Sequence, residues 1–88
     1  MLRAQLTISS PDGLHARPAN EFSKLAATAN GQVWLSRPEE PRVRGDSILA
    51  ILTLGLKQGE IVMIEISDAR QESLLKELVS LLSGCQTK

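Results

Sequence analysis

Several kinds of chemistry lack their raw material in this chain. One cysteine, Cys85, cannot close an internal disulfide, and a lone thiol fits a reducing compartment. Tyrosine is absent, and Phe22 and Trp34 are the whole aromatic supply, too few to build platforms for stacked bases. Ten basic residues balance ten acidic ones, so the basic excess of a nucleic-acid-binding domain is missing. No apolar run reaches the ~18 residues of a membrane span, and no apolar signal region precedes the strand-like start at Met1. A cytoplasmic protein with no membrane insertion and no nucleic-acid partner is therefore expected. No Cys, His, Asp and Glu set has metal-ligand spacing, and neither G-x-G-x-x-G nor a Walker pattern occurs. Neither metal nor cofactor is expected. Internal repeats, low-complexity runs and linkers are also missing, and 88 residues suffice for one modest core. A single domain over residues 1–84 is expected, followed by a frayed tail over 85–88.

What is present is clear periodicity. Leu2, Ala4, Leu6 and Ile8 alternate with Arg3, Gln5 and Thr7, a strand with one buried face. Ser9 to Gly13 is turn chemistry. A helix follows from Ala16 to Ala29, with Ala19, Phe22, Ala26 and Ala29 on its inner face. Asn20, Glu21, Ser23 and Lys24 face water or a partner. Asn30-Gly31 stops it, with a left-handed backbone expected there. Gln32–Ser36 reads as a second strand, the Pro38 and Pro41 segment as a loop, and Arg42–Arg44 as a short third strand closing a hairpin. Asp46 or Ser47 caps a second helix running to about Leu54. Lys57–Glu60 turns the chain into a fourth strand, Ile61–Ser67, with Val62, Ile64 and Ile66 on one face. Ser67 or Asp68 caps a last helix striped by Leu74, Leu75, Leu78, Leu81 and Leu82, with Gly84 as its stop. The order strand, helix, strand, strand, helix, strand, helix implies an α+β fold, one sheet with helices on one face.

The segment Gly13-Leu14-His15-Ala16-Arg17-Pro18-Ala19 holds the only histidine, where a loop becomes a helix. Pro18 suits a first helical turn, where its missing amide hydrogen costs nothing. His15 and Arg17 thus stand at the positive end of a helix, where unpaired amides and the dipole favour an anion. That field also disfavours a protonated ring, which keeps the imidazole nucleophilic near neutral pH. A guanidinium and first-turn amides (Ala16, Arg17 and the Pro18 region) beside a neutral imidazole suit a histidine that carries a phosphoryl group. The second helix adds another signal. Ile48, Ile51 and Leu54 form one stripe, while Leu49 and Leu52 continue around the cylinder, too wide an arc for one buried face. Leu49 and Leu52 are therefore expected to be partly exposed, as on a docking surface.

Residues Gly13–Ala19 resemble the active-site signature of HPr, the histidine-containing phosphocarrier family of the bacterial phosphoenolpyruvate-dependent sugar phosphotransferase system. Ser47-Ile48-Leu49-Ala50-Ile51-Leu52-Thr53-Leu54-Gly55-Leu56-Lys57-Gln58-Gly59 resembles that family's second helix and following turn. The two blocks stand in order at the family's spacing, slightly lengthened, and the likeness spans essentially the whole chain. The resemblance implies a four-stranded antiparallel sheet covered on one face by three helices, an open-faced sandwich acting as a monomer. It also implies that His15 accepts a phosphoryl group through Nδ1 from enzyme I and passes it to sugar-specific IIA domains. Arg17 would stabilise the phosphate, and docking would run over Ala16, Asn20, Lys24, Ile48, Leu49 and Leu52. The protein would be a relay intermediate, not an enzyme, either free or within a multiphosphoryl transfer protein.

Ser47 stands where many members of the family carry a regulatory serine phosphorylated by a dedicated kinase. A phosphate there would set roughly two negative charges on the docking face. The same serine is also a plain helix cap. Asp46 and Ala50 beside it depart from the family's usual residues, Asp46 replacing a basic or amide residue and Ala50 a Gly or Lys. Two other functions fit parts of the pattern. A regulatory module of the same fold would bind a partner without phosphoryl turnover. A hydrolase with His15 as general base would have only Asp12 or Ser10 near in sequence as helpers.

Overall fold

The computed structural model describes residues 1–9, 13 and 16–83. The chain runs β1 (Leu2–Thr7), α1 (Ala16–Ala26), β2 (Val33–Ser36), β3 (Val43–Arg44), α2 (Ile48–Thr53), β4 (Ile61–Ile66) and α3 (Glu72–Ser83). The strands form one antiparallel sheet in the order β1-β4-β2-β3, and three helices cover one of its faces. This is the βαββαβα open-faced arrangement expected.

Period-two patterning assembles the core. On β4, Val62, Ile64 and Ile66 are fully buried, and they pair across to Leu6, Ala4 and Leu2 of β1. On the other side of β4, Leu35 of β2 lies opposite Ile64 and Val33 opposite Ile66. From the helical layer, Ala19, Phe22 and Ala26 of α1, Ile51 of α2, and Leu74, Leu78 and Leu82 of α3 close the same cluster. Each large side chain buried this way contributes about 1.5–3 kcal/mol. The opposite face is uncovered by helices and mixes charged side chains with Trp34, Met63 and an exposed Ile61. There Glu65 bridges Arg3 at 3.0 Å and Arg42 at 2.9 Å, and the Arg42 guanidinium lies 3.9 Å above the Trp34 ring.

The structure corrects the sequence reading in four places. Helix α1 stops at Ala26, because Thr28 and Ala29 bond three residues back to Leu25 and Ala26 and tighten the last turn. Neither Asn30 nor Gly31 is left-handed. Among the described residues only Gly13, Gly55, Gly59 and Glu39 have positive φ. Glycine at 31 answers a close approach instead: a Cβ there would collide with Ser67 Oγ, which accepts the Gln32 amide hydrogen at 2.8 Å. Ser23, expected on the outer face, is buried, its hydroxyl donating to the Asn20 carbonyl at 2.9 Å. Finally, α3 starts at Glu72, later than a cap at Ser67 or Asp68 would place it. The Asp68 carboxylate instead accepts from the Arg70 amide at 2.9 Å, and the Gln71 amide donates to the Asp68 carbonyl, a separate turn. The expected stop at Gly84 and the tail 85–88 lie outside the described residues.

Glu39 has φ +64 in the turn closed by the Glu40 amide on the Arg37 carbonyl, with Pro38 ahead of it. That is the third position of a type II turn, which favours glycine. Glu39→Gly relieves about 1–2 kcal/mol of left-handed strain and gives back part of it as chain entropy. A net gain of about 0.5–1 kcal/mol is expected, read as a melting temperature higher by roughly 3–6 °C. A lower melting temperature would contradict the strain.

Candidate functional site

Helix α1 opens at Ala16, the residue after His15 in the chain. His15 and Leu14 themselves, with Ser10, Pro11 and Asp12, lie outside the described residues. Ala16 and Arg17 are exposed and Pro18 half-buried. Pro18 has no amide hydrogen, so Ala16, Arg17 and Ala19 supply the first-turn donors. No acidic side chain stands in that turn to offset the positive helix end. Arg17 has no ion pair among the described residues, which leaves its guanidinium available to an incoming anion.

Gly13, two residues before His15 in the chain, is buried with φ +69. Its α-carbon faces backbone. A Cβ would stand 2.5 Å from the Leu56 carbonyl oxygen and 2.9 Å from Lys57 Cα. Position 13 thus needs glycine both for its φ and for its seat against the 55–60 turn.

Helices α1 and α2 pack together, which brings the second group of predicted residues to the same side of the fold. Ser47 is the α2 N-cap, its Oγ accepting from the Ala50 amide at 3.3 Å. Asp46 turns away from the cap to chelate Arg44 at 3.0 and 2.9 Å, and this contact holds its carboxyl below the ordinary range. Ile51 is buried, whereas Leu49 is 74% and Leu52 37% exposed, as the wide apolar arc implied. Ile48 is partly buried against the core, so it divides between packing and surface. Asn20 and Lys24 are exposed on α1.

One group near this region escaped the sequence reading. From the loop after β2, Arg37 donates through Nε to Glu60 Oε1 at 2.7 Å and through Nη2 to Oε2 at 3.2 Å. Glu60 Oε2 also accepts the Lys57 amide hydrogen at 2.7 Å. The bonds from Arg37 and then from the Lys57 backbone hold the Glu60 carboxyl below its usual range. Arg37 and Glu60 are 23 positions apart, so no local pattern could have paired them. Among the described residues no cluster of His, Cys, Asp and Glu could hold a metal ion, and no helix is long and apolar enough to cross a membrane.

The family profile described as the PTS HPr component phosphorylation site matches residues 2–84. The phosphocarrier protein HPr of Neisseria meningitidis serogroup A is 30% identical over 84 residues, covering 96% of this chain and 93% of its own. A multiphosphoryl transfer protein of Xanthomonas campestris is 32% identical over 93% of this chain, which spans 10% of that longer protein. Among solved structures, HPr-C-His from Thermoanaerobacter tengcongensis superposes with a TM-score of 0.84 at 32% identity, covering 96% of this chain and 93% of that one.

The Ser47 cap is testable by melting. Ser47→Ala is expected to cost about 1 kcal/mol and lower the melting temperature by roughly 4–8 °C, with Ser47→Asp recovering most of it. Unchanged melting in Ser47→Ala would show that the 3.3 Å contact with Ala50 does not support α2.

Proposed function

The chain belongs to the HPr family of phosphotransferase-system phosphocarriers, and on that premise we propose that His15 is its phosphoryl acceptor. The observation that carries this reading is the match to a family described by its phosphorylation site, in a chain with one histidine. An imidazole nitrogen, Nδ1 by the family resemblance, attacks phosphorus as the bond to the donor breaks. The same bond exchange in the forward direction hands the group to the next acceptor. Phosphoryl transfer asks mainly for position and charge stabilisation. The amides opening α1 and Arg17, which has no ion pair among the described residues, would supply both.

Enzyme I is the proposed donor and sugar-specific IIA domains the acceptors. Both would dock over Ala16, Asn20 and Lys24 of α1 and over Leu49, Leu52 and the exposed part of Ile48 on α2. The apolar exposure at Leu49 and Leu52 supports such docking, because an isolated domain gains nothing by wetting two leucines on one helix. Phosphorylation of Ser47 would add charge at the head of that helix and weaken the same contacts. The protein works in the cytoplasm as a monomer in this reading, a relay intermediate in sugar uptake.

Mixing the protein with phosphoenolpyruvate and an enzyme I proven on another HPr is expected to leave a single acid-labile phosphate, lost in His15→Ala. Arg17→Ala should keep the site but slow transfer by roughly 10- to 100-fold, the worth of a charge-assisted bond. No uptake by the native chain would refute the carrier and leave a regulatory module.

A further inference from the structure

The 55–60 turn holds the chain on both sides of residues 10–12. On the near side, the Gly59 amide donates to the Ile8 carbonyl at 2.8 Å, the Ile8 amide to Glu60 at 2.9 Å, and Gln58 Nε2 to Ser9 at 3.2 Å. On the far side, Leu56 and Lys57 form the backbone floor under Gly13. The turn itself is held from behind by one arginine. Arg37 grips both oxygens of Glu60 and donates through Nη2 to the Gly55 carbonyl at 3.3 Å, while Glu60 Oε2 accepts the Lys57 amide hydrogen. One guanidinium and one carboxylate therefore tie Gly55, Lys57 and Glu60, the first, third and last residues of a six-residue turn.

We propose that Arg37 and Glu60 are positioning residues for phosphoryl transfer, locking the turn on which Gly13, two residues before His15, is seated. The inference rests on the phosphocarrier reading and names what holds its acceptor segment in register. A partly exposed ion pair contributes little to global stability, because solvent screens it and ordering two long side chains offsets the attraction. Its effect falls on geometry instead. Transfer between two proteins requires the acceptor nitrogen in line with the leaving bond, and an ångström of displacement can cost ~100-fold in rate. Gly13 packs backbone against backbone with no side chain to absorb a shift, so movement of Leu56 or Lys57 passes to Gly13, two residues ahead of His15 in the chain.

The test compares native protein with Glu60→Gln, Arg37→Met and Arg37→Lys. For Glu60→Gln and Arg37→Met, the saturating transfer rate from phosphorylated enzyme I is expected to fall roughly tenfold, with KM within about twofold and native circular dichroism. Arg37→Lys keeps a charge for Glu60 but loses the fork that also reaches Gly55, so it should recover part of the rate. His15 is the only histidine, so its ring protons stand alone in the NMR spectrum and report its surroundings without turnover. They should shift in Glu60→Gln and Arg37→Met. Rates within about twofold of native, or ring resonances unchanged from native, would overturn the positioning role. A native protein that takes up no phosphate sinks the phosphocarrier reading instead, and the ring spectra still decide whether the lock reaches residue 15.

Discussion

Strand β4 is flanked by β1 on one side and β2 on the other, and all three of its inward residues are fully buried. A strand in that position has no free edge and no freedom of register, because a shift by one residue would turn Val62, Ile64 and Ile66 outward. The helices are placed by the surface this pairing creates. Phe22 of α1 and Leu78 of α3 reach full burial over the same apolar floor. The outward face is mixed: Glu65 is held between Arg3 and Arg42, while Ile61 at the start of the strand is exposed.

The start of β4 also borders the candidate site. The turn that delivers the chain to Ile61 is the one that backs Gly13 and bonds Ile8. Strand β2 reaches the same turn from its far end through Arg37. Sheet and turn are thus tied together, with α1 and α2 resting on the helical face and presenting Arg17, Leu49 and Leu52 to solvent.

Much of this was legible in residue order. Alternation in Leu2–Ile8 and Ile61–Ile66 marks strands whose buried faces depend only on parity, and Pro18 marks a helix start by its own covalent geometry. The apolar arc of α2 was too wide to bury, and the exposure of Leu49 follows from counting angles. What sequence did not disclose is long-range or compensated locally. Ser23 is buried because its hydroxyl finds a carbonyl three residues back, which a polarity pattern counts as outward. Gly31 faces a side chain on a distant loop, and the Asp68 carboxylate is taken by Arg70 before it can cap α3. At the candidate site, residues 16–18 do open a helix as Pro18 implied, while the Arg37–Glu60 pair joins two loops that only tertiary structure brings together.

The pairing of the first strand with the last has a consequence for synthesis. During translation, β1 emerges with its inner face apolar, yet its one neighbour in the sheet is β4, whose residues are among the last strand to be made. The β2–β3 ribbon can close within a few residues, but Leu2, Ala4 and Leu6 stay without a partner strand until residues 61–66 clear the ribosome. Such non-local closure is slow compared with helix or hairpin formation. A nascent chain of this topology therefore carries β1 without its partner strand until β4 has been made, exposed to chaperones and to sister chains on the same message.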